Sequence, residues 1–285
     1  MSRVDYPVYG AMVSWNLQDT DLYAARAAFE SAGLEHLAPG PKTEYEALKA
    51  AVGEVAKSKD QLIQRHKKHH EHGCELVDVK RDTEVNDYSH FLSFKVVNGQ
   101  VMRKTQDGWS WEPDMSGKVQ EEFDKQSRLV APAKLTAALV QMVGALQGIR
   151  LRERGGLYWL PEESLATWAS LSDALEAAGN DMLVLRTELN PRTAQHLTKA
   201  LHEQVMQEAN AILEELGGKL REDGLEKRKD RAMELAALVE SYSSILGAGL
   251  ENLKSVTQVV QSAAVMAAMQ GMGQSHNSSA ALCSA

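Results

Sequence analysis

The chain has 285 residues, 44% of them hydrophobic and 25% charged, and its 31 basic and 39 acidic side chains leave a formal charge of −8. That balance belongs to an ordinary soluble globular polypeptide and excludes the disordered, collagenous and membrane-spanning classes. At roughly 150 residues per domain, the length implies one large domain or two small ones, enough to bury a core without disulfide or metal staples.

Cys74 and Cys283 lie far apart, the second in a Ser- and Asn-rich tail. No disulfide framework is therefore encoded, and a reducing compartment is expected. The first residues, Met1 to Pro7, place an acid and a proline where a secretory signal needs about 7 to 15 uninterrupted apolar residues. The expected location is cytoplasmic. The stretch from Ala232 to Met269 is broken by Glu234, Glu240, Glu251 and Lys254, whereas a membrane span needs about 20 largely uncharged residues. No membrane partner is expected.

Leu22, Ala25, Phe29 and Ala32 recur at helical spacing and predict a helix from Thr20 to Ala32, capped by Asp19 or Thr20. Gly33 and the Pro39-Gly40-Pro41 cluster end it. Thr43, with Glu46 three residues on, is a capping box that opens a second helix towards Lys57. The polar stretch Lys57 to His72 is expected to continue as exposed helix. Between Cys74 and Trp111 the period falls to two: Leu92, Phe94 and Val96 alternate with Ser93, Lys95 and Val97. Asn98-Gly99 then signals a hairpin, because both turn residues accept positive φ. Gln100 to Thr105 is the return strand, and Asp107-Gly108 turns the chain into Trp109 to Glu112, making a three-stranded antiparallel meander.

A helix from Pro132 to Gln147 follows, with Leu135, Leu139, Met142, Val143 and Leu146 on its inner face. Gly148 to Pro161 reads as a second hairpin turning at Gly155-Gly156, Glu162 to Ala178 as a helix, and Asp181 to Leu189 as a strand centred on Met182 to Leu185. Strands, hairpins and interspersed helices give the α+β class.

From Asn190, an N-cap followed by a first-turn proline, the chain turns helical almost to its end. Leu197, Leu201, Val205, Ala209, Ile212 and Leu216 form one stripe. Gly217-Gly218 interrupts it, since two glycines cost a helix interior about 2 kcal/mol relative to alanine. The chain is expected to reverse there into a second helix of about 40 residues, well above the globular mean of about 12. The expected organisation is an α+β domain at 1–189, a long antiparallel helical hairpin at 190–270 and a flexible tail at 271–285.

Three groups of residues are candidates for function. The second helix of the hairpin carries a ridge of Leu235, Leu238, Tyr242, Ile245, Leu246, Leu250, Leu253 and Val256. Either the rest of the chain covers that ridge, or a second subunit does, in a coiled-coil-like contact that makes the protein a homo-oligomer or a component of a larger assembly. Gly247 and Gly249 mark a close backbone approach or a bend. In the second group, Arg150, Arg152 and Arg154 alternate on a predicted strand and would line one face of a winged-helix-like basic hairpin, supplemented by Arg65, Lys67 and Lys68, as a nucleic-acid surface. The bland reading of these arginines is a solvated strand edge. In the third, His66 and His70, four apart on a predicted helix, lie near Cys74 and would make a zinc site. A titrating basic segment explains the same residues, because free imidazole titrates near pH 6.5.

Asp78-Val79-Lys80 has the acid-x-lysine spacing of a nuclease half-site but lacks an upstream strand-end acid. Neither a phosphate loop, a dinucleotide fingerprint, a nucleophile elbow nor a Cys-x-x-Cys occurs. Trp109, Trp111, Tyr158 and Trp159 are read as core of the sheets. The function expected from the sequence is non-catalytic self-association or scaffolding through the C-terminal helices, with nucleic-acid binding as the alternative and no cofactor, zinc excepted.

Overall fold

The computed structural model describes residues 8–56, 61–65, 73–81, 86–105, 108–110, 113–152, 155–218, 222–247 and 250–282. In chain order the elements are β1 (Val8–Asn16), β2 (Thr20–Asp21), α1 (Leu22–Ser31), α2 (Glu44–Ala56), β3 (Gln61–Arg65), β4 (Gly73–Arg81), β5 (Asn86–Val97), β6 (Gln100–Thr105), β7 (Gly108–Ser110), α3 (Pro113–Gln126), β8 (Leu129–Val130), α4 (Pro132–Ala145), β9 (Ile149–Arg150), β10 (Tyr158–Pro161), α5 (Leu165–Ala177), β11 (Asp181–Glu188), α6 (Pro191–Leu216), α7 (Glu222–Leu246) and α8 (Glu251–Leu282). Antiparallel sheets are followed by long C-terminal helices, with α7 and α8 packed together, so the α+β class and the helical hairpin expected from the sequence are present. The chain divides into two compact units, Asn16–Leu139 with Ser170–Asp181, and Met1–Trp15 with Val140–Ala169 and Met182–Ala285.

In the first of these units the order β3-β4-β5-β6-β7 makes a five-stranded antiparallel sheet. Its last three strands are the predicted meander, and the turn between β5 and β6 has Asn98 at φ 52° and Gly99 at φ 78°, as a two-residue hairpin with right-handed strand twist requires. The sheet is wider than expected because residues 61–65 are strand, not helix. Leu62 pairs with Val77 and Ile63 with Leu76, and ladder pairing to β4 overrides the helical propensity of the surrounding Lys, Gln and Arg. Ala47, Leu48, Ala51 and Val52 of α2 form one core with Val119 and Phe123 of α3, Phe94 of β5 and Val101 of β6.

Helix α1 begins at Leu22, and its cap is Asp21, which accepts from the backbone N–H groups of Tyr23 at 2.9 Å and Ala24 at 3.0 Å. The two residues expected to cap it are engaged elsewhere. Asp19 accepts from the buried Lys42 Nζ at 2.5 Å, which also donates to Gln126 Oε1 at 2.6 Å. The Thr20 hydroxyl is buried against Asn180. The capping box on α2 is as predicted: Thr43 N donates to Glu46 Oε2 at 2.7 Å, and Glu46 N donates to Thr43 Oγ1 at 3.3 Å.

Lys134 Nζ lies 2.8 Å from the same Glu46 carboxylate. The hydrogen bond from Lys134, then that from the Thr43 backbone, pull the Glu46 carboxyl from its ordinary 4.5 down to about 2. A lowered carboxylate stabilises the folded state fully above the unfolded value and loses that contribution as pH falls through the folded value. Glu46→Gln is therefore expected to lose less stability than the parent chain between about pH 4.5 and pH 2. Thermal melts across that interval check this, and parallel pH curves for the two proteins would refute it.

The second unit is built on the sheet order β11-β1-β10-β9. Strands β9 and β10 are the predicted hairpin, with Tyr158 opposite Arg150 and Trp159 opposite Ile149, while β1, unforeseen in the sequence, pairs from Gly10 opposite Pro161 to Val13 opposite Tyr158. Helix α6 starts as predicted, Asn190 Oδ1 accepting from Thr193 N at 2.9 Å ahead of Pro191 in the first turn. The expected helix of about 40 residues is instead two: α7 ends at Leu246, Gly247 turns left-handed at φ 76°, and α8 resumes at Glu251. Helices α6, α7 and α8 each contact the other two. Arg231 of α7 ties α6 down, 2.6 Å from Glu208 and 2.9 Å from Glu215. The segment expected to be a flexible tail continues α8 to Leu282; an established helix adds residues with no new nucleation cost.

Candidate interaction surfaces

The ridge faces its own chain. Leu235, Tyr242, Leu250 and Leu253 are buried in one cluster with Leu197, Leu201, Val205, Ala209 and Ile212 of α6, and Leu238, Ile245, Leu246 and Val256 are partly buried against the same cluster. The break at Gly247 is the physical reason, because α8 folds back on α7 and the two halves of the stripe cover each other. The ridge is thus core, not the solvent-facing contact surface expected from its spacing. Tyr242 is its centre: its ring lies 5.5 Å from that of Trp159, its hydroxyl donates to Gln147 O at 2.9 Å, and burial, then the Glu163 carboxylate, pushes the phenol well above its ordinary range.

Arg150 and Arg152 do not share a strand. β9 ends at Arg150, so Arg152 is exposed in the connection beyond it, and Arg154 lies outside the described residues. The Arg150 guanidinium sits 6.0 Å above the Tyr158 ring, and its backbone N–H donates to Gln204 Oε1 at 2.9 Å. Tyr158 also stacks on Trp15, with ring centroids 5.1 Å apart. Arg65 closes β3 opposite Cys74 of β4, while Lys67, Lys68, His66 and His70 lie outside the described residues. The helix expected over Lys57 to His72 is strand at Gln61–Arg65. Among the described residues no group of three or more His, Cys, Asp or Glu is placed to hold a metal ion. Tyr158 and Trp159 are buried, as expected. Trp111 lies outside the described residues.

What the structure leaves open to solvent is different. On α8 the inner face is Leu253, Val260, Ala264 and Ala268, while Val259, Met266 and Met269 on the other side are 63%, 58% and 65% exposed. They are spaced by seven and then three residues, the step of a coiled-coil seam. From Ser255 onward the sequence contains no Asp, Glu, Lys or Arg, so this face has no charge of either sign. That absence of charge, more than the apolar period, was the sequence signal for it. A second apolar surface is β11, an edge strand on which Leu183, Val184 and Leu185 are 46%, 40% and 48% exposed.

The arrangement is that of an α+β protein whose C-terminal helices form their own core and present an uncharged apolar face outward. Residues 8–272 match the family described as a family of unknown function (DUF6744), and the chain belongs to it. No curated protein and no solved structure matches the chain. No helix among the described residues is long and apolar enough to cross a membrane.

Proposed function

We propose that this protein acts by binding rather than catalysis, and that it self-associates through the outer face of α8. The observation that carries the reading is the exposed seam of Val259, Met266 and Met269 on the part of α8 beyond Lys254, which has no Asp, Glu, Lys or Arg. Burying such side chains removes apolar area from water at about 25 cal/mol per Å².

A second copy is the occupant that fits. The seam meets its own image with no like charges to separate, and a/d spacing is the pattern that interdigitates with an identical helix. The same face has no cation to attract phosphate, which disfavours nucleic acid or an anionic lipid surface as the occupant.

Light scattering on the size-exclusion eluate tests the reading. The unaltered chain should elute above the mass of one chain. Val259→Glu, Met266→Glu and Met269→Glu combined should weaken association at least about tenfold, or about 1.4 kcal/mol, with far-ultraviolet circular dichroism unchanged because these side chains face solvent. An unaltered mass in the triple variant would overturn it.

A further inference from the structure

We infer that two copies pair their α8 helices antiparallel, in the register that sets each large side chain of the seam against a small one. The inference rests on the self-association reading above and adds a direction and a register to it.

The exposed stripe of α8 is longer than its three apolar residues. Asn252, Ser255, Val259, Ser262, Met266 and Met269 are all exposed, and their steps of three, four, three, four and three residues are those of a coiled-coil seam. Leu253, Thr257, Val260, Ala264 and Ala268, on the opposite side, are buried. Half of the stripe is therefore Asn or Ser. Such residues do not attract a partner, but they decide which side chains can face them without leaving a gap.

The order of steps reads the same in both directions, so the stripe laid end to end against its own copy matches it layer by layer. Asn252 then faces Met269, Ser255 faces Met266 and Val259 faces Ser262, and the two-fold axis repeats each layer. Every layer holds one Val or Met and one Ser or Asn, which keeps the helix separation even along the seam. A parallel pair would match each residue with itself and leave two thin layers, Ser255 with Ser255 and Ser262 with Ser262, between thick layers of Val259 and Met266. Asn252 against Asn252 is a layer that parallel pairs use, but it falls on the second residue of the helix, where water reaches both amides in either arrangement. Sliding the antiparallel pair by one heptad is worse in both directions. One slide sets Met269 against Val259, and the other carries Met266 past the first residue of the facing helix.

Two further observations agree. Ser255 Oγ donates to Glu251 O at 3.2 Å, so its hydroxyl keeps a partner when Met266 covers it. Glu251 is exposed at the start of the seam, while Lys254 lies 3.0 Å from Glu240. A parallel pair brings two Glu251 carboxylates to one end. The antiparallel pair holds them ~28 Å apart at a rise of about 1.5 Å per residue, well beyond the Debye length of about 8 Å at physiological ionic strength.

Photocross-linking of the full chain, with p-benzoylphenylalanine in place of Asn252 and separately of Met269, tests the direction. Each sample is irradiated at a concentration where light scattering shows association, and the product of two-chain mass is digested with trypsin and mapped by mass spectrometry. No Lys or Arg follows Lys254, so the two ends of the seam fall in different peptides. Links from position 252 to Met269 of the other copy should outnumber links to residues 252–255 by about tenfold or more, and the probe at 269 should link to Asn252. A probe at each position that links mainly to its own counterpart would make the pair parallel and overturn the inference, while the α8 face stands. Links outside α8, or no two-chain product from an associated sample, would overturn both. A chain that keeps the mass of one chain at every concentration refutes self-association, and the inference with it.

Discussion

Trp159→Ala should be the most destabilising single substitution in the second unit, costing about 3–5 kcal/mol. The indole is fully buried, lies across from Ile149 in the hairpin, and meets the Tyr242 ring of α7, so it joins the sheet to the helical core. Removing it opens a cavity that residues fixed by strand pairing on one side and helix packing on the other cannot collapse into. The midpoint of thermal unfolding should fall by about 6–20 °C, taking ~2–4 °C per kcal/mol for a chain of this size class. Trp159→Phe should cost far less. Its Nε1 is buried with no hydrogen-bond partner among the described residues, and phenylalanine keeps most of the ring while removing that unsatisfied donor. Equal losses for the two variants would show that Trp159 does not link the sheet and helices as described.

Gly10→Ala should be nearly as damaging although it adds one methyl group. A Cβ at Gly10 would lie 2.3 Å from the Leu160 carbonyl oxygen and 2.3 Å from Trp159 Cζ2. The first is backbone held in the β1–β10 ladder and the second belongs to the ring just described, so neither retreats without breaking strand pairing or core packing. Overpacking of this kind costs about 1–3 kcal/mol and occasionally more. Denaturant unfolding measures it directly. Gly117→Ala is the matched control: its Cβ would meet nothing within 4 Å, and alanine favours a helix interior by up to about 1 kcal/mol. A Gly10→Ala chain as stable as that control would contradict the close approach.

Features set by neighbouring residues were legible in the sequence. The Thr43–Glu46 box and the Asn98-Gly99 turn each depend on two side chains or two φ values a few residues apart, and both appear as expected. Features set by distant partners were not. Strand β1 contains a glycine that reads as a strand breaker until Trp159 is placed over it. The strand at Gln61–Arg65 looks helical in composition and becomes strand only because β4 lies alongside. Among the side chains described on helix α3, Val119 and Phe123 are the buried apolar anchors, too few for a periodic signal. The break at Gly247 had its glycine in plain view, but spacing alone does not distinguish a bend from a reversal.

The same limit governs the site. Apolar period shows that the ridge from Leu235 to Val256 is covered, but not by what, and the structure covers it with its own helices. The outer face of α8 is weaker as a pattern, only Val259, Met266 and Met269. It becomes informative once burial has claimed the other side of the helix and once the lack of charge beyond Lys254 is set beside it.

Self-association through α8 makes one direct claim, that a second copy covers this outer face. Hydroxyl-radical footprinting of the unaltered chain over a range of protein concentrations reads that face residue by residue. Oxidation of Met266 and Met269 should slow as concentration rises, while Met233, exposed on α7, oxidises at a constant rate. Concentration-independent oxidation of all three would contradict the claim.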